Sequence, residues 1–381
     1  MQPWTDPGPA SARWAPSTPL SEVPAACQEV LQAYLEQCRE EFGGIDPLLE
    51  TTLDALADFI LGGGKRVRPT LAWAGVRAAW EGGGGHPHDG DNEGGVPPQA
   101  YLAAVSSLEL IQACALIHDD IIDASDLRRG RPTVHRVFEK QHRDHSWHGS
   151  PEHYGISQAL LAGDLVFAWA DDMLTDSGVP TRHQVRARPA WRAMRTEVIV
   201  GQQLDIAVEA RGSEDVADSL KVVKYKTASY TATRPLHLGA SLGGADERTV
   251  DLLCQVGQQI GTAFQLRDDQ LGVFGDPAVT GKPSGDDLRT GKRTALINSA
   301  LARGTAAQRT ELHEALGSIS SDADVERMRK VIIATGAQDH IEDTIHGLTD
   351  SANTALHNSW LHSSIIDELV GFASRLTNRR F

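Results

Sequence analysis

The chain has 381 residues, of which 40% are hydrophobic, enough for one large core or two ordinary domains. Its 36 basic and 51 acidic residues give a formal net charge of −15, which argues against nucleic acid or an anionic membrane as a general partner. The four cysteines form no CxxC pair, and we interpret them as free thiols of a reducing compartment.

The N-terminal stretch is rich in proline, serine and alanine and contains neither the basic nor the apolar part of a secretory signal. We therefore predict a disordered segment over residues 1–23, followed by a folded region over residues 24–381. Because no apolar run approaches the roughly 20 residues that a membrane helix needs, we expect no transmembrane segment and a cytoplasmic protein.

Apolar residues recur at intervals of three and four through most of the folded region, as along one face of a helix. In the second such run, Asp46 is suited to cap a helix, Pro47 fits its first turn, and the glycines from Gly62 end it. No convincing run alternates as a strand would. The pattern predicts one all-α domain. Further helical runs cover residues 98–123, 158–174, 191–208, 216–242 and 249–273.

Two stretches interrupt the helical pattern. Residues 81–98 are too rich in glycine and proline for regular structure, and we predict a flexible surface loop there. A histidine-rich segment over residues 135–155 is predicted to form a second loop at residues 139–155. Its histidines lack the regular spacing of zinc ligands, so metal binding there is disfavoured. They are His135, His142, His145, His148 and His153.

An acidic motif stands at the end of one apolar helix. Asp119 and Asp123 are four residues apart and project from the same face, which also carries Gln112, and Asp120 lies beside them. Like charges at this spacing destabilise a helix, and the negative end of the helix dipole disfavours them further. Carboxylates of this kind suit Mg²⁺, which usually takes one or two of them together with substrate phosphates. Taken alone, the motif is better explained as a solvated acidic helix end.

A second acidic motif changes that interpretation. Gln265, Asp268 and Asp269 repeat the arrangement on another apolar helix. Two carboxylate clusters accompanied by scattered basic residues suggest a diphosphate held through metal ions. The basic residues are Lys65, Arg68, Arg128, Arg129, Arg131, Lys282, Arg289, Lys292 and Arg293.

Six short segments follow one another along the chain: GKRVRP, DDIIDASDLRRGRPT, GQQLD, KT, QLRDDQ and GKPSGDDLRTGKRT. In content and order, they resemble the trans isoprenyl diphosphate synthases of the polyprenyl synthetase family. The resemblance covers nearly the whole chain from about Leu35. It implies a single-domain all-α bundle around a deep central cavity, usually a homodimer, with the two acidic motifs facing each other. It also implies Mg²⁺-dependent head-to-tail condensation of isopentenyl diphosphate with allylic diphosphates, with three Mg²⁺ ions per active site.

The resemblance assigns roles to individual residues. The matches to metal ligands are Asp119, Asp123 and Asp268, assisted by Asp269 and Asp287, and Asp120 completes the first motif. The matches to ligands of the allylic diphosphate are Arg128, Lys226, Lys282 and Lys292. The matches to ligands of isopentenyl diphosphate are Lys65, Arg68, Gln112 and Arg129. The matches to residues that line the reacting centre are Gln202, Asp205, Thr227 and Gln265.

One position departs from the family pattern. Gly272 stands where the second acidic motif of the family usually has a third aspartate. We expect weaker metal affinity at this motif. Because Asp268, Asp269 and Asp287 remain, we expect activity to be retained.

Product length in the family depends on how far the growing tail extends beside the first acidic helix. Cys114 and Ala115, about one turn before Asp119, are small, whereas the family's farnesyl synthases have aromatic residues there or an enlarged first motif. Ile111 and Leu108 are large enough to form a floor about one isoprene unit deeper. The pattern favours twenty-carbon geranylgeranyl diphosphate, with longer polyprenyl diphosphates as the alternative.

Two other classes of protein share parts of the pattern. A class I terpene cyclase also ionises a diphosphate with a DDxxD motif, but the chain lacks the second metal motif of Asn, Ser and Glu that those enzymes use. The segment GKRVRP would also have no purpose without isopentenyl diphosphate. A regulatory subunit of a heteromeric prenyltransferase would normally have degraded aspartate motifs, whereas both are substantially present here.

Overall fold

The structure is a computed structural model that describes residues 14–85, 96–276 and 285–378, and within them the chain is almost entirely helical. The predicted all-α fold class is therefore confirmed. The first helices are α1 (Val23–Phe42), α2 (Pro47–Leu61), α3 (Val67–Trp80), α4 (Pro98–Ser106), α5 (Leu108–Ile122), α6 (Val134–Asp144), α7 (Pro151–Thr175) and α8 (Thr181–Arg211). They are followed by α9 (Val216–Val222), a π-helix (Val223–Thr233), α10 (Arg234–Leu242), α11 (Glu247–Phe274), α12 (Asp286–Thr290), α13 (Ala295–Arg303), α14 (Ala306–Ala315), α15 (Asp322–Ala334), α16 (Ala337–His357) and α17 (Ser363–Thr377).

The chain forms two compact units. The first comprises Met1–Trp191 and Pro235–Val250, and the second comprises Arg192–Arg234 and Asp251–Phe381. The first acidic motif belongs to the first unit, and the second acidic motif belongs to the second.

Local signals in the sequence place the second helix correctly. A side-chain oxygen of Asp46 accepts a hydrogen bond from the backbone N–H of Leu48 at 2.8 Å, Pro47 occupies the first helical position, and Gly62 follows the last. The four cysteines, all within the described residues, are free thiols as predicted.

A short hairpin in the first unit was not predicted, because its strands are too short to show alternation. Strands β1 (Leu127–Arg128) and β2 (Arg131–Pro132) pair antiparallel. Arg129 and Gly130 connect them with φ angles of 53° and 74°, as a two-residue turn of type I′ requires.

Residues 14–22 are packed, which corrects the prediction of disorder for this part of segment 1–23. Trp14 is buried, and its ring centroid lies 4.8 Å from that of Trp73. The indole N–H of Trp73 donates to the carbonyl oxygen of Thr18 at 2.9 Å. The proline-rich composition obscured this contact, because a single tryptophan can anchor a segment by its large apolar area. The remaining residues of the predicted segment, 1–13, lie outside the described residues.

The histidine-rich segment is mostly helical, so the predicted loop over residues 139–155 is wrong except for residues 145–150. His135 and His142 are buried on one face of α6. The hydroxyl of Ser150 caps α7 by accepting from the N–H of His153 at 3.2 Å. Composition misled the prediction because α6 is strongly polar on its outer face, which hides the apolar stripe.

The other predicted loop, over residues 81–98, is described only at its ends. Residues 81–85 form a turn in which the carbonyl oxygen of Gly83 accepts from the N–H of Asp246 at 2.8 Å. Helix α4 begins at Pro98. Residues 86–95 lie outside the described residues, so their flexibility stays a prediction.

One helical stretch in the described part, Pro98–Ile122, is long and apolar enough by composition to cross a membrane. This corrects the expectation that no apolar run approaches that length. However, 83% of its most apolar window is buried inside the protein. Its hydropathy is therefore explained by its place in the core of the first unit.

Candidate active site

Helix α5 presents the first acidic motif at its C-terminal end. Asp120 is only 1% exposed, whereas Asp119 is half-buried and Asp123 is exposed. The N–H of Asp123 donates to the carbonyl oxygen of Asp119 at 2.8 Å and closes the helix. The motif therefore has one inner carboxylate and two outer ones, whereas the four-residue spacing predicted only that Asp119 and Asp123 share a face.

Arg128, on β1, neutralises the inner carboxylate. Its Nε donates to Oδ1 of Asp120 at 2.7 Å, and its Nη2 donates to Oδ2 of Asp119 at 3.3 Å. Burial raises the pKa of Asp120 to about 6, although Arg128 favours the charged form. Arg128, predicted to bind substrate, is thus also the residue that orients the motif.

The hairpin brings Arg129 to the glycine loop before α3. Its guanidinium donates to the carbonyl oxygen of Gly63, and a Cβ atom at Gly64 would lie only 3.2 Å from Nη2 of Arg129. The next residue, Lys65, is exposed, and Arg68 is half-buried. Two chain segments that were predicted to bind isopentenyl diphosphate therefore meet in the first unit.

Arg66 and Glu109 hold this glycine loop against α5, and sequence reasoning missed both. Nη1 of Arg66 donates to Oε2 of Glu109 at 2.6 Å, and Nη2 donates to the carbonyl oxygen of Ile60 at 2.6 Å. Both side chains are buried, and Arg66 has a left-handed φ of 46°. Because 43 residues separate the partners, no local pattern could have revealed the pair.

A cavity of about 330 Å³ lies between α2 and the hairpin. Three basic residues line it, together with one acidic residue, Asp58, and apolar residues such as Phe59; the basic residues are Arg128, Arg129 and Arg131. The hairpin therefore concentrates positive charge on a protein whose net charge is −15, which favours local binding of an anion.

The predicted chain-length residues differ in their surroundings. Ala115 is half-buried and lies one turn before Asp119 on the same side of α5. Cys114 is buried, with its Sγ 3.8 Å from Nδ1 of His118. Ile111 and Leu108 are fully buried. Of the four, Ala115 is therefore the one placed to contact a molecule bound at Asp119.

In the second unit, α11 carries the second acidic motif with the same division of carboxylates. Asp268 is half-buried, whereas Asp269 is 4% exposed. Gln265 donates from Nε2 to Oδ1 of Asp269 at 2.7 Å, and the N–H of Ala295 donates to Oδ2 at 3.2 Å. Burial raises the pKa of Asp269 to about 7, and repulsion from the carboxylates of Asp287 and Asp268 adds to this effect.

Gly272 leaves room for the carboxylate of Asp287. A Cβ atom at Gly272 would lie 2.5 Å from Cγ and 3.0 Å from Oδ1 of Asp287, closer than real contacts allow. Asp287 is buried on α12 and so occupies the space in which a side chain at position 272 would begin. The missing third aspartate is thus accompanied by an acidic group from another helix.

The π-helix carries Lys226 and Thr227. Nζ of Lys226 donates to Oδ2 of Asp205 on α8 at 2.5 Å, and Gln202 lies three residues earlier on α8. Lys292 follows α12, and its N–H donates to the carbonyl oxygen of Asp287 at 3.0 Å. The predicted ligand Lys282 lies outside the described residues.

Glu197 and Arg234 form a second ion pair that sequence reasoning missed. Nε and Nη2 of Arg234 donate to the two carboxylate oxygens of Glu197 at 2.8 and 2.5 Å. The hydroxyl of Ser229 donates to the same carboxylate. Burial opposes the charge of Glu197, but these bonds hold its pKa below the usual range. The pair anchors the end of the π-helix to α8.

The acidic motifs fit Mg²⁺ by their donor chemistry. Oδ2 of Asp120 is buried without a hydrogen-bond partner among the described residues, so the first motif has acceptor capacity to spare. Within the described ranges, no three His, Cys, Asp or Glu side chains converge closely enough to hold a metal by themselves. Carboxylate oxygens suit Mg²⁺, which keeps waters and takes phosphate oxygens as further ligands.

Comparison with known proteins agrees with these features. The profile of the polyprenyl synthetase family matches residues 50–334. The chain resembles the crystal structure of geranylgeranyl pyrophosphate synthase from Corynebacterium glutamicum complexed with isoprenyl diphosphate and magnesium, with 44% identity, a TM-score of 0.88 and coverage of 95% of this chain and 100% of that one. It is 33% identical to the geranylfarnesyl diphosphate synthase of Aeropyrum pernix, over 78% of this chain and 84% of that protein. It is 34% identical to the (2E,6E)-farnesyl diphosphate synthase of Mycobacterium bovis, over 65% of this chain and 59% of that protein.

The buried ion pair yields a prediction about stability. Glu109→Ala should lower the free energy of unfolding by about 3–5 kcal/mol, because it leaves the buried guanidinium of Arg66 without its carboxylate partner. Urea denaturation measures the loss. The control is Glu50→Ala, which removes an exposed partner of Arg39 and should cost about 0–1 kcal/mol. Equal losses in the two variants would contradict the anchoring role of Glu109.

Proposed function

Since this chain belongs to the polyprenyl synthetase family and is a trans-prenyltransferase, we propose that it makes twenty-carbon geranylgeranyl diphosphate. The observation that carries the proposal is the small side chain of Ala115, half-buried one turn before Asp119. A tail of fifteen carbons can pass such a residue. The Corynebacterium glutamicum enzyme named for this product supports the choice, whereas the names of other relatives show that chain length varies.

The substrates are isopentenyl diphosphate and an allylic diphosphate, and the enzyme uses Mg²⁺. When bound, Mg²⁺ neutralises the diphosphate that departs as the allylic carbon–oxygen bond breaks. We assign its ligands to Asp119 and Asp123 in the first unit and to Asp268 in the second, with Asp269 and Asp287 assisting. We also propose that each active site binds three Mg²⁺ ions.

In the first unit, the basic residues around the glycine loop bind isopentenyl diphosphate. Lys65 is exposed, and Arg129 is fixed nearby by its bond to the carbonyl oxygen of Gly63. Arg68 and Gln112 complete the assigned set. Arg128 binds the allylic diphosphate while its bond to Asp120 fixes the guanidinium. Charged donors held in place in this way recognise phosphate oxygens strongly.

In the second unit, Lys226 binds the allylic diphosphate, together with Lys282 and Lys292. The carboxylate of Asp205 orients the ammonium group of Lys226. Thr227, Gln202 and Gln265 line the reacting centre. After ionisation, the double bond of isopentenyl diphosphate attacks the allylic cation and a new carbon–carbon bond forms. The proton that is then lost passes to the released diphosphate, so the reaction needs no dedicated base.

Two further parts of the proposal rest on the family resemblance. We propose that the enzyme acts as a homodimer and that it works in the cytoplasm. Sedimentation of the purified protein measures the first, and localisation of a tagged chain measures the second.

Product analysis tests the proposed function. Purified protein is given Mg²⁺, isopentenyl diphosphate and each allylic starter in turn, and the products are separated by chain length. We expect linear geranylgeranyl diphosphate as the main product. Longer or fifteen-carbon chains would overturn the assigned length, cyclic hydrocarbons would indicate a terpene cyclase, and a lack of product would indicate a regulatory subunit.

Ala115 yields a prediction about chain length. Ala115→Phe should shorten the main product to farnesyl diphosphate, because a ring one turn before Asp119 blocks the tail. The matched control is Ala307→Phe on the exposed face of α14, which should leave the product unchanged. Chromatography compares the chain length of the products of the parent and of both variants at equal turnover. An unchanged product from Ala115→Phe would contradict the assignment of chain length to Ala115 and would leave Cys114, Ile111 and Leu108 as the residues of α5 to vary next.

The outer aspartates yield a prediction about turnover. Asp119→Ala and Asp268→Ala should each lower kcat by at least about 10²–10³-fold, because each removes a ligand at the leaving group. Both variants should keep the helical circular dichroism of the parent. Asp126→Ala is the matched control, because this exposed aspartate follows the first motif and pairs with Arg136. Near-normal turnover in either motif variant would contradict the metal assignment.

A further inference from the structure

Lys226 and Thr227 lie in an unusual stretch of backbone. Val223–Thr233 form a π-helix, in which each N–H bonds to the carbonyl five residues earlier. Such helices are rare, usually span a single turn and often occur at functional sites. Eleven residues in this form need a specific cause in the surrounding structure.

Three glycines of the second unit contact this π-helix through its backbone. A Cβ atom at Gly201 would lie 2.5 Å from Cα of Lys226, and one at Gly261 would lie 2.7 Å from Cα of Ala228. A Cβ atom at Gly257 would lie 2.7 Å from Cα of Thr233. Since the opposing atoms are backbone, no rotation of a flexible side chain could relieve such contacts. Only glycine allows this approach.

The face of α8 that carries Gly201 also supplies the polar anchors of the π-helix. Glu197 and Asp205 lie four residues before and after Gly201, so all three share one side of α8. Glu197 binds Arg234 and Ser229, and Asp205 binds Lys226. The two carboxylates bind the π-helix on either side of Gly201, where the backbone of the π-helix approaches α8 closely.

Gly257 and Gly261 contact the π-helix from α11. They lie four residues apart on α11, and Gln265, which bonds to Asp269, follows four residues later on the same side. The helix that carries the second acidic motif is therefore in direct contact with the π-helix that carries Lys226. Both contacts depend on the lack of a side chain at Gly257 and Gly261.

We propose that Gly201, Gly257 and Gly261 are positioning residues that hold residues 223–233 as a π-helix and thereby aim Lys226 and Thr227 at the allylic diphosphate. A methyl group at Gly201 displaces the backbone of Lys226. The π-helix then shifts or returns to α-helical geometry. Because a π-helix and an α-helix have different numbers of residues per turn, this change turns Lys226 away from Asp205. This inference rests on the proposed function for the identity of the ligand.

The experiment compares Gly201→Ala with Gly347→Ala. Gly347 lies within α16 and has no atom within 4 Å of its added Cβ, so the same substitution there gains helix propensity without a clash. We expect Gly201→Ala to lower kcat about 10²-fold, as a misplaced catalytic group does. Its affinity for inorganic diphosphate in the presence of Mg²⁺, measured by calorimetry, should fall roughly tenfold. The KM for isopentenyl diphosphate should stay unchanged, and Gly347→Ala should match the parent in every measurement.

A double-mutant cycle separates positioning from general damage. If Gly201 acts through Lys226, adding Gly201→Ala to Lys226→Ala should cause little further loss of diphosphate affinity. Additive losses would overturn the proposal, as would parental affinity and kcat in Gly201→Ala alone. If Gly201→Ala fails to fold, Gly257→Ala carries the same comparison, because its clash lies at Thr233, away from Lys226.

The calorimetric measurement also keeps this inference distinct from the proposed function. A parent protein that makes no prenyl diphosphate would refute the function. Even then, equal affinities of the parent and Gly201→Ala for inorganic diphosphate would refute the role of the glycines, and unequal affinities would support it.

Discussion

Burial of one carboxylate in each acidic motif is the constraint to which the surrounding structure is adjusted. Asp120 and Asp269 are almost completely removed from water, which raises their pKa values to about 6 and about 7. A buried carboxylate requires hydrogen-bond donors held in place. Arg128 supplies them to Asp120, while Gln265 and the backbone of Ala295 supply them to Asp269. The bonds to these buried carboxylates therefore fix the positions of the hairpin and of the start of α13.

Backbone strain accumulates beside the assigned ligands. Arg66 and Arg129 have left-handed φ angles, which cost about 1–3 kcal/mol each for residues other than glycine. Two ion pairs hold the backbone near assigned ligands: the buried pair of Arg66 with Glu109 lies next to Lys65, and the half-buried pair of Arg234 with Glu197 lies at the end of the π-helix. Residues outside the assigned ligand set thus hold the backbone segments that carry the assigned ligands.

The sequence was most informative where structure depends on near neighbours. Asp46 and Pro47 begin α2 as predicted, because capping involves only a few adjacent residues. The four-residue spacing of Asp119 and Asp123 predicted that both project from the same face of α5, because helix periodicity is a local property. Prediction failed for the histidine-rich segment, because the polar outer face of α6 hides its apolar stripe, and for Trp14, because its contact with the distant Trp73 overrode local composition. The roles assigned to substrate and metal ligands stay predictions.

By itself, the sequence determined the all-α class and the family, because helical periodicity and short motifs are local properties of the chain. Tertiary structure alone decided which carboxylate of each motif is buried and which residues neutralise it. It also decided that Glu109 anchors the glycine loop, that Asp287 occupies the space beside Gly272, and that glycines admit the π-helix. These contacts join residues that are far apart in the chain, and their energies depend on desolvation and close packing, which no local pattern encodes.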